Sequence, residues 1–241
     1  MKETNKIPLN NVIIKKENLI GLAKCISRQD NVRNICFLIT FMNEQEIESD
    51  CIDIFENEKV NEYEIKRIYM SYVDNDYTKN IKVYIYNYEK YLGNSYIEIS
   101  YDNDDNMDWL ASVEKEFKEQ ISYCDNRNKI ISFLQNDNIL FFGIMLFNII
   151  VSVFLGRIVY RITKFDPKTV TTLMFLFCTI LIFESMHIRD LFYKSFPKVE
   201  LDIKEKNNSA KKSRNVIKIT LSTYILPIIV DIICYYIEKH L

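Results

Sequence analysis

The chain has 241 residues, of which 48% are hydrophobic and 27% are charged, and its formal net charge is -2. Only four residues are glycine, and they are too far apart to form the phosphate-binding loops G-x-G-x-x-G or G-x-x-x-x-G-K-[ST]. Both histidines, His187 and His240, lie in the last quarter, so the first 186 residues contain neither a Ser-His-Asp triad nor an H-E-x-x-H zinc site. We therefore expect no catalytic, cofactor or metal site of these kinds and interpret the chain as a non-enzyme.

The small net charge results from two halves of opposite charge. Residues 1–137 contain 17 Lys and Arg against 25 Asp and Glu, whereas residues 138–241 contain 14 against 8. Hydropathy changes at the same point, because apolar and charged residues alternate before it and long apolar segments follow it. The sequence therefore predicts an α+β N-terminal soluble domain over 1–130, followed by an all-α membrane domain over 131–241.

Apolar periodicity in the first half predicts two helices and several strands. Helical spacing predicts a helix over 19–28, and a short β-branched and aromatic run predicts a buried strand over 35–41. An amphipathic helix is predicted over 108–123. Three segments with strand character, separated by turn residues, predict an antiparallel meander: 65–73, 81–86 and 96–101. We expect a mostly antiparallel sheet of about four or five strands with two helices on one face.

The acidic run from Asp102 to Asp108 precedes the second of these helices. It matches the first three ligand positions of an EF-hand loop, but it lacks the glycine and the final glutamate of that motif. Asp and Asn side chains also favour helix N-termini. We therefore interpret the run as helix capping and predict no calcium site.

Tyrosines are concentrated in the predicted meander. They occupy nine positions: Tyr69, Tyr72, Tyr77, Tyr84, Tyr86, Tyr88, Tyr91, Tyr96 and Tyr101. Aromatic side chains on a sheet can stack on bases, but nucleic-acid binding also needs a basic surface, and this half is acidic. Because tyrosine is favoured at protein interfaces, we expect a protein partner on this domain and no nucleic acid.

Three apolar segments in the second half predict transmembrane helices. They cover about 138–158, 169–188 and 217–237, which at 1.5 Å per residue is enough to cross a hydrocarbon core of about 30 Å. Lys and Arg are abundant between the second and third segments, so 189–216 is predicted to be a basic cytosolic loop. The first 18 residues lack the apolar stretch of a signal peptide. The expected localisation is the plasma or inner membrane of a prokaryote, with the N-terminal domain in the cytoplasm and the C-terminus on the opposite side.

Polar residues inside predicted membrane helices are functional candidates, because they are costly in hydrocarbon. Alternating helix directions bring Arg157 and Asp231 toward the same end of the first and third helices, which predicts an intramembrane ion pair. The alternative for Arg157 and Glu184 is that they extend to the headgroups. Four further polar residues are candidates: Asn148, Ser152, Glu184 and His187.

Basic residues around the predicted loop are candidates for contact with anionic lipid headgroups. They are Lys204, Lys206, Lys211, Lys212, Arg214 and Lys218. The lipid bilayer is therefore an expected partner, and a homo-oligomer through the membrane helices is a further one. The alternative interpretation for these residues is that they simply flank a membrane segment.

Two functional hypotheses follow from this organisation. The first is a membrane-tethered sensing or protein-interaction module with no evident catalytic site. The alternative is an oligomeric pore-forming or membrane-perturbing effector, regulated by the soluble domain and lined by Asn148, Ser152, Glu184 or Asp231.

Overall fold

A computed structural model describes residues 2–87, 94–102, 107–126, 128–163, 166–203 and 209–220. The chain divides into two compact units. Unit 1 consists of Met1–Asp125 and Lys194–Leu241, and unit 2 consists of Asn126–Tyr193.

Strands predominate in the first hundred residues and helices in the rest of the described chain. The strands are β1 (Lys2–Pro8), β2 (Val12–Ile14), β3 (Val32–Phe41), β4 (Glu46–Ser49), β5 (Ile65–Asp74), β6 (Lys79–Tyr86), β7 (Tyr96–Asp102), β8 (Asp125–Asn126) and β9 (Val199–Leu201). The helices are α1 (Lys16–Ser27), α2 (Glu58–Glu62), α3 (Met107–Ser122), α4 (Lys129–Leu134), α5 (Asp137–Thr163), α6 (Pro167–Ser195) and α7 (Ser209–Thr220), with a 3₁₀ helix at Ile52–Glu56.

Unit 1 is built on a six-stranded antiparallel sheet in the order β1-β7-β6-β5-β3-β4. Strands β5, β6 and β7 correspond to the predicted meander. Period-two alternation decides which side chains each strand buries, since in β6 Ile81, Val83 and Ile85 are buried while Lys82 and Tyr84 are partly exposed. The sheet therefore has one apolar face and one mixed face.

Helices α1 and α3 and the 3₁₀ helix cover the apolar face. Leu22 and Ile26 of α1, together with Val113 and Phe117 of α3, lie in the same buried cluster as the inward residues of the sheet. Both helices match the predicted amphipathic segments within three residues at each end. Burying this cluster is the main source of stability of unit 1, because apolar surface removed from water contributes about 25 cal/mol per Å².

The segment 189–216 contains three ordered elements. It includes the end of α6, strand β9 and the first half of α7. Strand β9 pairs in parallel with β2, and Val199 is fully buried in the core of unit 1. The apolar residues Val199 and Leu201 on either side of Glu200 therefore join a core formed by residues that are distant in sequence, and the density of charges along 189–216 does not predict this.

The prediction of a membrane domain with three transmembrane helices is wrong. Within the described part of the chain, no helix is both long enough and apolar enough to cross a membrane. The predicted segments 138–158 and 169–188 lie within α5 and α6, and 217–237 lies mostly outside the described residues. Apolar runs counted along a sequence do not by themselves separate a membrane span from another kind of apolar helix, and α5 ends with Arg157 and Arg161 in its last two turns.

The predicted localisation is wrong for the same reason. Integral membrane placement, with the N-terminal domain in the cytoplasm and the C-terminus on the other side, depended on membrane-spanning helices, and the described helices do not supply them.

Candidate functional site

The candidate site is the sheet face opposite α1 and α3, which we call the open face. It carries alternate residues of six neighbouring strands, so side chains that are far apart in sequence lie side by side. The residues that carry its chemistry are Lys6, Cys36, Thr40, Glu46, Glu48, Arg67, Tyr69, Lys82, Tyr84, Tyr96 and Glu98.

Three tyrosines form a continuous row across the centre of the open face. Tyr69 lies opposite Tyr84, and Tyr84 lies opposite Tyr96, in the strand register. Ring centroids are 5.0 Å apart in the first pair and 4.9 Å apart in the second. All three rings are partly exposed. This tyrosine row is therefore an aromatic surface supported by cross-strand packing and still accessible from one side.

Tyr84, the central tyrosine of the row, stays protonated at neutral pH. Burial raises the pKa of Tyr84 to about 12, with smaller contributions from Tyr69 and Tyr96. Burial also raises the pKa of the neighbouring Tyr86. The phenol groups of Tyr84 and Tyr86 are thus available as hydrogen-bond donors and as stacking surfaces, but not as bases.

A hydrogen-bonded cluster lies beside the tyrosine row, where β3, β4 and β5 meet. The Thr40 hydroxyl donates to the Glu46 carboxylate over 2.9 Å, and Arg67 donates to the Thr40 oxygen over 2.9 Å and to Glu46 over 3.0 Å. The hydrogen bond from Thr40 is the largest cause of a lowered pKa at Glu46, followed by that from Arg67. The charges in this cluster compensate one another.

On the other side of the tyrosine row, lysines and a carboxylate share one line across the sheet. Lys82 lies opposite Glu98, and Glu98 lies opposite Lys6. The Lys6 ammonium lies 3.1 Å from Glu98 and 4.9 Å from the centroid of the Tyr96 ring. No described residue forms a salt bridge with Lys82. Lys6 and Glu98 neutralise each other, so the positive charge of Lys82 gives this line a net charge of +1.

Cys36 also lies on the open face, and its environment argues against a reactive thiol. Its Sγ donates a hydrogen bond to Glu48 over 3.3 Å. Burial, and then the Glu48 carboxylate, raises the pKa of Cys36 to about 11, so the thiol stays protonated at neutral pH. A nucleophilic cysteine needs the opposite shift.

The predicted intramembrane residues lie on α5 and α6 or outside the described chain. Asn148 and Ser152 are one turn apart in α5 and are both buried, whereas Arg157 is exposed. Glu184 and His187 lie within α6. The predicted partner of Arg157 is Asp231, which lies outside the described residues, so that ion pair stays a prediction.

Four of the six predicted headgroup-binding residues are described, and among them Lys211 and Arg214 form ion pairs within unit 1. Lys211 contacts Asp202 at 2.8 Å, and Arg214 binds Glu200 through two hydrogen bonds of 2.8 and 2.9 Å. Glu200 is almost fully buried. Of the others, Lys212 and Lys218 are exposed in α7, whereas Lys204 and Lys206 lie outside the described residues.

Among the residues described, no group of three or more His, Cys, Asp or Glu side chains is placed to hold a metal ion. Residues 103–106 of the acidic run lie outside that part of the chain. A groove of about 410 Å³ lies between α1 and α3, lined by charged side chains of both signs such as Glu17, Lys24 and Arg28. The thiol of Cys25 also lines this groove, and burial raises its pKa to about 11, so it stays protonated at neutral pH.

The open-face charges were missed at the sequence level because strand pairing brings them together. Lys6 meets Glu98 only through the pairing of β1 with β7, and β1 is a charged segment with a weak strand signal. Alternation within β6, by contrast, could have placed Lys82 and Tyr84 on one face.

Comparisons with protein-family models, with characterised proteins and with solved structures find no match to this chain.

Proposed function

We propose that the chain is a protein-interaction module whose open face binds an acidic segment of a partner protein. The observation that supports this most directly is the tyrosine row, a partly exposed aromatic surface bordered by paired charges. Tyr and Arg are enriched at protein interfaces, because they combine a large contact area with polar atoms at the tip.

The acidic character of the partner is inferred from Lys82. Its neighbours on the open face already form internal pairs, since Lys6 contacts Glu98 and Arg67 contacts Glu46. A carboxylate on the partner would pair with Lys82 while the partner's apolar or aromatic groups pack on Tyr84. Such electrostatic complementarity selects a partner and sets its orientation.

A polyanionic nucleic acid fits this surface poorly. Neutralising a phosphate backbone takes a series of cations, and the described part of the open face has a single lysine that its neighbours leave uncompensated. A pore-forming effector is not part of the proposal either, because the helices of the described chain do not meet the requirement for crossing a bilayer.

The test is photo-crosslinking in cells from a benzophenone amino acid placed at position 84 of the full chain. The matched control position is Lys59 of α2, which is exposed but lies away from the open face. We expect a discrete protein adduct from position 84 and none of the same mass from position 59. Equal adducts from both positions would contradict the proposal.

A second variant tests the charge. Lys82→Glu should reduce the yield of the adduct at position 84 at least about tenfold, because like charges then face each other across the interface. Lys24→Glu places the same charge on the exposed surface of α1 and should leave the yield unchanged. An unchanged yield in Lys82→Glu would show that the partner is not recognised through this lysine.

A further inference from the structure

The six-stranded sheet of unit 1 ends in two strands that have a neighbour on one side only. Strand β1 pairs with β7 and strand β4 pairs with β3, and no further strand of the described chain pairs with either of them in this sheet. The outer edge of such a strand carries backbone N–H and C=O groups that can pair with another strand. We call the two outer edges the β1 edge and the β4 edge.

The two edges differ in charge on the open face. At the β1 edge, Lys6 ends the line that it forms with Glu98 and Lys82, and this line has a net charge of +1. At the β4 edge, Glu48 accepts a hydrogen bond from Cys36, and no described cation forms a salt bridge with it. The side chain of Lys6 is 58% exposed, and Glu48 is exposed as well. One edge therefore ends in net positive charge and the other in an uncompensated carboxylate.

The two edges resemble each other on the face that packs against the helices. Ile7 of β1 is 8% exposed and belongs to the buried cluster of unit 1, and Ile47 of β4 packs against the same cluster. Each isoleucine therefore marks a margin of the apolar layer. A strand added at either edge extends this layer when it places an apolar side chain beside that isoleucine.

We propose that the β4 edge of one copy of this chain pairs with the β1 edge of a second copy. All five strand pairs of the sheet are antiparallel, so β1 and β4 run in opposite directions. A second copy placed beside the first in the same orientation therefore adds its β4 antiparallel to β1, with both open faces on the same side. The sheet then continues from one copy into the next.

One register of this pairing satisfies both faces. When Ile47 lies opposite Ile7, Glu48 lies opposite Lys6. A shift by one residue would turn Ile47 toward the open face, and a shift by two residues would separate Glu48 from Lys6. Pairing of two β4 edges is disfavoured, because Glu46 or Glu48 of one copy would then lie opposite a glutamate of the other. Charge and apolar contact thus select the same partner edge.

The resulting assembly is head-to-tail. Each copy contributes a different edge to the contact, so one edge stays free at either end of the assembly. Sheet twist rotates every added copy in the same direction, so the copies form an open chain. Strand β4 has only four residues, which makes the contact small and its formation dependent on concentration. The tyrosine row lies in β5, β6 and β7, so the pairing does not depend on the partner proposed for the open face.

Sedimentation velocity of the full chain at concentrations up to about 1 mM tests the pairing. We expect the average mass to rise with concentration. The association constant should fall at least about tenfold in Lys6→Glu and in Glu48→Lys, because each variant places like charges opposite each other. The control Lys24→Glu adds the same charge to the exposed surface of α1 and should leave association unchanged. A wild-type chain that stays monomeric would overturn the proposal.

The two changes combined in one chain separate edge pairing from damage to the fold. Lys6→Glu with Glu48→Lys exchanges the charges of the two edges, so association should return to within about threefold of the wild type. Damage from the lost contact between Lys6 and Glu98 would not be repaired by a change at the other edge of the sheet. A double variant as dissociated as the single variants would contradict the proposal. So would a Glu48→Lys variant that associates like the wild type, since it would indicate pairing between two β1 edges.

Oxidative crosslinking tests the register in a Cys51→Ser background, which removes the exposed cysteine of the described chain. Asn5→Cys with Ser49→Cys places two thiols opposite each other in neighbouring copies, so we expect a ladder of disulfide-linked multimers. Thr4→Cys with Ser49→Cys places the thiols on opposite faces of the sheet and should give no ladder. A ladder from both variants, or from neither, would refute the proposed register.

Discussion

The pairing of Arg214 with Glu200 allows the most quantitative test of how α7 is held in unit 1. Glu200 is 1% exposed and accepts two hydrogen bonds from Arg214, which also donates to the backbone oxygen of Ser195 over 2.9 Å. Removing one member of a buried pair costs about 3 to 5 kcal/mol, because the remaining charge stays buried without a partner. Arg214 is 28% exposed, so we expect Arg214→Met to cost about 3 kcal/mol, at the lower end of that range.

Urea unfolding followed by the fluorescence of Trp109 measures this cost, since Trp109 lies in the same unit. With an m-value of about 2 kcal/mol/M, the midpoint should fall by about 1.5 M. The control is Lys16→Met, which removes an ion pair to the largely exposed Glu56 and should cost less than about 1 kcal/mol.

The double variant Glu200→Met with Arg214→Met separates the buried charge from packing. If the uncompensated carboxylate causes the loss, removing both charges should restore stability to within about 1 kcal/mol of the wild type. A double variant as unstable as Arg214→Met alone would refute this reasoning and assign the loss to the arginine side chain.

Three further predictions concern titratable groups of the open face. Thr40→Val should raise the pKa of Glu46 toward its ordinary value, as measured by a carboxyl NMR titration. Because the pKa of Glu46 is lowered in the folded protein, its contacts stabilise the fold above the ordinary carboxyl pKa. This stabilisation is lost as the pH falls through the lowered pKa. An unchanged titration would mean that Thr40 does not support the carboxylate. Iodoacetamide at neutral pH should label the exposed Cys51 well before Cys36. The raised pKa of Cys36, about 11, leaves about a hundredfold less thiolate at Cys36 than its ordinary pKa of 9.0 would, and equal labelling rates of the two thiols by mass spectrometry would contradict this. The phenol of Tyr84 should ionise near pH 12 rather than 10. Its neutral form therefore stabilises the fold below pH 10, and this contribution is lost as the pH rises through 12. A difference in phenolate absorbance between the wild type and Tyr84→Phe already at pH 10 would contradict this prediction.

Local patterns were sufficient for the elements that carry strong periodicity. The alternation in 81–86 and the amphipathic stripe in 108–123 led to β6 and α3 almost to the residue, because each signal lies within one segment. The open face can be predicted from the sequence only in part. The sequence shows that tyrosines are concentrated in these strands, but their alignment into a row depends on the register of three strands.

Other elements depend on distant pairing and could not be read from their own residues. Strand β1 contains three charged residues among seven and is ordered by β7, almost a hundred positions away. Strand β9 has three residues and is ordered by β2. The membrane prediction failed in a different way: it took the apolar character of whole segments as decisive.

The pairing of β9 with β2 has a consequence for synthesis and for dissection of the chain. The chain leaves unit 1 at Asp125, in β8, and returns to it at Lys194, just before β9. Strand β2 lies between β8 and β9, so these two strands are only two strand spacings apart, about 10 Å. Unit 2 is thus an insertion within unit 1. A fragment ending at residue 130 would lack Val199 and Leu201 from its core, and during translation unit 1 cannot complete its fold until all of unit 2 has been made. A fragment in which a short flexible linker replaces 126–193 keeps both ends of unit 1 and is the natural way to study the open face in isolation.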